Sequence, residues 1–184
     1  MDKSVKCFIT FKTGGFKMEQ RFFTKPAFHI IGYELKTKTV DGQNNKDIPE
    51  FWEQFLQQHL GANIPSPIRP QEEYGICTDF CPETGEFSYI IGKEVKEGTA
   101  LPEGMVYKSF PEEHYAVFTT PEATEETFSP TIQSSWNYIF TEWFPKSDYK
   151  HAETTEFELY DERCFGAKKV MDIYIPVQKK DVTV

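Results

Sequence analysis

Ser129-Pro130-Thr131-Ile132-Gln133-Ser134-Ser135-Trp136-Asn137-Tyr138-Ile139-Phe140-Thr141-Glu142-Trp143-Phe144-Pro145 reads as one amphipathic helix. Ile132, Trp136, Ile139, Phe140 and Trp143 follow one another at offsets of 4, 7, 8 and 11, which makes a single apolar stripe. Ser129 is placed to cap the helix, Pro130 occupies a first position where a missing N–H costs little, and Pro145 ends it. Upstream, across an acidic loop from Pro121 to Thr127, the segment Tyr107 to Thr120 carries the apolar strand Tyr115-Ala116-Val117-Phe118. Two further strands are expected downstream, Thr155 to Glu162 and Lys169 to Val177. The order is strand, helix, strand, strand.

The same order occurs earlier in the chain. Phe28-His29-Ile30-Ile31-Gly32-Tyr33 is a strand, and a polar loop from Thr39 to Lys46 follows it. Ile48, Phe51, Trp52, Phe55 and Leu56 form a helical stripe, with Asp47 as expected cap, Pro49 in the first turn and Gly61 as the stop. The proline-rich run Asn63 to Pro70 excludes regular helix or central strand. Strands are expected over Glu73 to Asp79 and Glu86 to Val95, joined by the turn Pro82-Glu83-Thr84-Gly85. Trp52 corresponds to Trp136, and Tyr74-Gly75-Ile76-Cys77 to Phe157-Glu158-Leu159-Tyr160. The fold class is α+β: two βαββ units, about 26–95 and 106–178, making one antiparallel sheet with two helices on one face. A unit of roughly 70 residues has little stability margin alone, so the two are expected to share a core. Residues 1–17 precede the duplication, as an extension or an extra strand.

The totals narrow the function. The chain has 184 residues, a net charge of −9 and an aromatic share of 16%, with 17 Phe, 9 Tyr and 3 Trp. Nucleic-acid backbones require clustered Lys and Arg, so direct nucleic-acid binding is excluded. An acidic field suits cationic partners, or simply keeps the chain soluble. Aromatic side chains fill cores and also wall cavities for flat ligands. No apolar run reaches the roughly 20 residues of a membrane helix, and no signal peptide is recognisable, so a cytoplasmic location is expected. Cys7, Cys77, Cys81 and Cys164 do not form a disulfide framework. The C-x3-C pair lacks a second pair or a nearby His, and His29, His59, His114 and His151 are scattered, so no metal and no cofactor is expected. Phosphate loops, dinucleotide glycines and hydrolase motifs are all missing, and no catalytic residue is assigned.

Glu156-Phe157-Glu158-Leu159-Tyr160 carries the one suggestive pattern. Strand alternation sends Phe157 and Leu159 to one face, expected to pack on the helices, and Glu156, Glu158 and Tyr160 to the other. That second face is either solvated or covered by aromatic residues such as Tyr89, Phe110, Tyr115 and Tyr174. A covered carboxylate would have a raised pKa and would favour an organic cation flanked by aromatic faces.

These landmarks resemble the GyrI-like, AraC-type effector-binding domains of multidrug-responsive transcription activators. The resemblance runs from about Met18 through Lys25-Pro26-Ala27-Phe28, Ile48-Pro49 to Trp52, Tyr74 to Cys77, Phe87-Ser88-Tyr89-Ile90-Ile91-Gly92, Trp136 to Trp143, Phe157 to Tyr160, and Ile173-Tyr174-Ile175-Pro176-Val177. It implies a pocket between the halves in which Glu158 contacts a lipophilic cation, walled by Tyr89, Phe140, Trp143 and Tyr160; Phe110 is added as a further candidate. Phe140 and Trp143 read equally well as core. The activators carry a helix-turn-helix domain ahead of this one, for which residues 1–17 are too short. A stand-alone binding domain is therefore implied, monomeric or weakly dimeric, reaching transcription through a protein partner. Other relatives imply two alternatives: a hydrolase of cyclopropane-type toxins, or a gyrase inhibitor.

Overall fold

The computed structural model describes Met18 and residues 20–180. The expected extension over 1–17 lies outside the described residues. The strands are β1 (Gln20–Lys25), β2 (Phe28–Lys38), β3 (Glu73–Thr78), β4 (Glu86–Val95), β5 (Val106–Phe110), β6 (Glu113–Thr119), β7 (Tyr149–His151), β8 (Glu156–Tyr160) and β9 (Asp172–Lys179). Helix α1 spans Asn44–Gln57 and α2 spans Phe128–Tyr138, continued by a π-turn, Ile139–Trp143, and a last turn, Phe144–Lys146. The strands pair antiparallel in the order β1-β6-β9-β8-β3-β4-β2-β5, with β7 also on β9.

The duplication sets that order. The strands of the two βαββ units run β6-β9-β8 and β3-β4-β2, mirrored about the β3–β8 pair. There Gly75 lies opposite Glu158, between the pairs Tyr74↔Leu159 and Ile76↔Phe157, so an approximate two-fold axis passes between Gly75 and Glu158. Each unit is preceded by a strand that crosses to the other unit: β1 pairs with β6, and β5 with β2. The expected single strand Tyr107 to Thr120 is therefore two strands. Pro111 interrupts it, and the pieces join opposite ends of the sheet.

These crossings force the sheet to curl. Only Pro26 and Ala27 connect β1 to β2, yet the strand order separates them by six spacings. In a flat sheet that would be roughly 29 Å, whereas the link reaches about 11 Å. Lys25 ties the ends together, its Nζ 2.9 Å from Glu94 of β4 and 4.2 Å from the Phe28 ring centroid. Inside the curl lies an apolar cluster of Phe28, Ile30, Tyr74, Ile76, Ile90, Phe110, Tyr115, Val117, Phe157, Leu159 and Tyr174. On the outer face α1 packs against Phe87, Tyr89 and Ile91, and α2 against Ala116, Phe118, Ile173 and Ile175.

This corrects the expected facing of β8. Phe157 and Leu159 point into the curl, and Glu156, Glu158 and Tyr160 point toward the helices. The helix ends also differ from expectation. Asp47 lies inside α1, where its carboxylate accepts hydrogen bonds from Thr37 and Gln43 at 2.6 and 2.5 Å, so it caps nothing, and Pro49 falls in the second turn. After α1 the chain turns at His59, in the left-handed region at φ 52, and Gly61 belongs to the 3-10 turn beyond. Thr127, not Ser129, precedes α2. The π-turn comes just before Pro145, whose ring would clash with a carbonyl in a regular α-turn.

Candidate ligand-binding cleft

The outer face is not filled where the two helices approach the β3–β8 pair. A cleft of about 510 Å3 opens there, walled by Ile48, Trp52 and Leu56 of α1, Phe128, Ile132 and Trp136 of α2, and Cys77, Tyr89, Glu156, Glu158 and Tyr160 of the sheet. Phe165 closes part of the rim and is 66% exposed. The size and mainly apolar walls suit an organic ligand with a few polar fixing points.

Glu158 stands at the floor, 7% exposed. Its Oε1 accepts from Trp136 Nε1 at 2.7 Å; its Oε2 accepts from Tyr89 and Tyr160 hydroxyls at 2.8 and 2.9 Å. The Tyr89 hydroxyl in turn accepts from Trp52 Nε1 at 2.9 Å. The two tryptophans that correspond in the duplication thus both aim their N–H at one carboxylate, one directly and one through a tyrosine. The counterpart of Glu158 is Gly75, and this glycine is required. A Cβ there would sit 2.2 Å from the Tyr89 hydroxyl and 3.0 Å from Glu158 Oε2.

Burial pushes the Glu158 carboxyl above the usual carboxylate range, and the three donors pull it only part of the way back. Burial, and then the charge of Glu158, hold Tyr89 and Tyr160 well above an ordinary phenol, so both remain donors. Two other charges lining the cleft have counter-charges: Glu73 lies 3.4 Å from Lys93, and Lys169 lies 2.9 Å from Glu125. Among the described residues, the hydrogen-bond partners of Glu158 are all neutral.

A family model described as "Cass2: Integron-associated effector binding protein" matches residues 21–177. The chain belongs to that family. It is 32% identical over 163 residues to the transcriptional regulator BrlR of Pseudomonas aeruginosa, covering 87% of this chain and 56% of the regulator. The chain therefore spans little more than half of that relative. Among solved structures it resembles SAV2435 bound to tetraphenylphosphonium, with TM-score 0.70 and 18% identity, covering 88% of this chain and 94% of that one. An integron cassette protein from the mobile metagenome of Vibrio cholerae matches with TM-score 0.56 and 22% identity, over 86% of this chain and 95% of that one. The fold and the GyrI-like effector-binding assignment of this Cass2 family member stand on those matches.

The residues singled out in the sequence fall in three places. Glu158, Tyr160 and Tyr89 come together at the cleft floor. Trp143 packs against Phe118 at 4.9 Å in the α2 core, and Phe140 lies behind Trp136, against Phe144 and His151. Phe110 lies inside the curl, 4.9 Å from Phe28, on the opposite side of the sheet; Tyr115 and Tyr174 lie there too. Trp52 and Trp136 were legible as matched landmarks, but nothing in their spacing marked them as donors to Glu158. No group of His, Cys, Asp and Glu that could hold a metal occurs among the described residues, and Cys77, Cys81 and Cys164 are thiols. Among the described residues, no helix is long and apolar enough to cross a membrane.

Proposed function

We propose that this protein binds lipophilic organic cations reversibly in the cleft, with Glu158 as the charge partner. One observation carries the reading: a buried carboxylate, held by three neutral donors, faces an aromatic-walled cavity. In the empty protein that charge is desolvated and uncompensated, which is costly. A cation removes the cost, and the rings of Trp52, Trp136 and Tyr160 add cation–π attraction of about 0.5–2 kcal/mol each. The likeness to a protein bound to tetraphenylphosphonium supports the cationic class. The regulator BrlR supports the further proposal that ligand binding serves transcription, here through a partner, since a net charge of −9 disfavours direct contact with nucleic acid.

Calorimetric titration with tetraphenylphosphonium tests the reading. Saturable one-to-one binding is expected, weakened by Glu158→Gln at least tenfold, or about 1.4 kcal/mol. Unchanged affinity in that variant removes Glu158 from the site. No saturable binding of any lipophilic cation overturns the function.

A further inference from the structure

A second carboxylate lines the same cleft, and its surroundings differ from those of Glu158. Glu156 is two residues away on β8 and on the same face, with a side chain 3% exposed. Its Oε2 lies 3.2 Å from His151 Nε2. The proton on that ring can be placed, because His151 Nδ1 accepts the Glu153 backbone N–H at 2.9 Å. Nδ1 therefore carries no proton, and the ring is neutral and donates from Nε2. His151 orients Glu156 without neutralising it. Among the described residues Oε1 of Glu156 takes no hydrogen bond, yet no buried polar side-chain atom is left without a partner. Oε1 therefore keeps some accessible surface, and Glu156 is one of the residues that line the cleft.

We infer that the cleft is built for dications: flat or elongated aromatic ligands with two positive centres, one on Glu158 and one on Glu156. Alternate residues of a strand are about 6.6 Å apart, which sets the order of the spacing between those centres. Two uncompensated carboxylates so close together raise each other's cost in the empty state. A dication relieves both costs at once, whereas a monocation relieves one. The inference rests on the reading of Glu158 as a cation site and adds a second charge requirement to it.

The test uses an isosteric pair. N,N′-diethyl-4,4′-bipyridinium carries two ring cations spaced like alternate strand residues, and N-ethyl-4-(4-ethylphenyl)pyridinium has the same shape with one. Titration is done with wild type, Glu156→Gln and Glu158→Gln. Glutamine is isosteric and can still accept the His151 proton, and the monocation affinity of Glu156→Gln checks its fold. In wild type the dication should bind at least tenfold more tightly than the monocation. Glu156→Gln should abolish that preference by weakening the dication at least tenfold more than the monocation, and Glu158→Gln should weaken both ligands. Equal wild-type affinities, or a Glu156→Gln variant that keeps the preference or weakens both ligands alike, overturn the inference and leave the monocation site intact. If neither ligand nor tetraphenylphosphonium binds, both readings fall.

Discussion

At the scale of the residue, Glu158 combines a stability cost with a binding capacity, and pH separates the two. Burial raises its pKa in the folded chain above the ordinary carboxylate range, so the folded state retains a proton that the unfolded state has lost. Below the ordinary carboxylate pKa both states are protonated and no cost arises. As pH rises through the window up to the raised pKa, the folded state loses stability relative to the unfolded state, and above it the full cost remains. Glu158→Gln lacks this term. Urea unfolding between roughly pH 4 and pH 8 should therefore show the variant gaining on the wild type as pH rises, by on the order of 1 kcal/mol. Cation affinity of the wild type should fall as pH drops through the same window, because protonation removes the charge partner. A stability difference that stays constant across that range would mean that Glu158 is not a desolvated, titrating group.

At the scale of the element, the pairing of β3 with β8 decides what the cleft can hold. The two-fold relation would place equivalent side chains at 75 and 158, but the space suffices for one carboxylate and the tyrosine that binds it. Gly75→Ala drives a Cβ against the Tyr89 hydroxyl and breaks the path from Trp52 to Glu158. Overpacking of this kind costs about 1–3 kcal/mol, and cation affinity should fall at least several-fold. Adding Tyr89→Phe removes the nearest clashing atom and should restore part of the stability without restoring affinity, as read by urea unfolding and calorimetry. An alanine variant as stable as wild type would refute the close packing. Periodicity made α2 and both βαββ units legible, because an apolar stripe and a buried strand each leave a spacing signal. Alternation in β8 separated Glu158 from Phe157, but it carries no sign of which side faces the helices, and the expectation that Phe157 and Leu159 would pack on them was wrong. Both sides are covered here, and the apolar side turned inward because the sheet curls. Strand β1 escaped notice because its edge position leaves Phe22 and Phe23 both half-exposed, without alternation, and β7 because it has three residues. Pro26 and Pro111 both open two-residue links at the crossings, but a proline shows where a strand breaks, not which strand the next one will join.

At the scale of the molecule, the crossed strands make the two halves mutually dependent. The N-terminal half contributes β1 to β6, and the C-terminal half contributes β5 to β2. The pair β3–β8 adds the central seam, and the inner cluster draws side chains from both halves. The connection between β4 and β5 takes no part in this. Gly98 and Gly104 lie there with positive φ and no neighbouring atoms where a Cβ would point, and Leu101 is 51% exposed. A protease site placed between Gly98 and Gly104 should therefore be cut without loss of fold or of cation binding, since exposed loop tips tolerate nicking. The separated fragments face different circumstances. Each lacks the strand that covers its own first strand and half of the inner core, and units of this size have little margin alone. Each fragment by itself should show no cooperative thermal transition by circular dichroism. Mixed at equal concentration, the two should regain the transition, and with it a cleft whose floor is Glu158 from one fragment and Tyr89 from the other. A cooperative transition in either fragment alone would show that the crossed strands are accessories to two independent folds, and that the cleft is only where those folds meet.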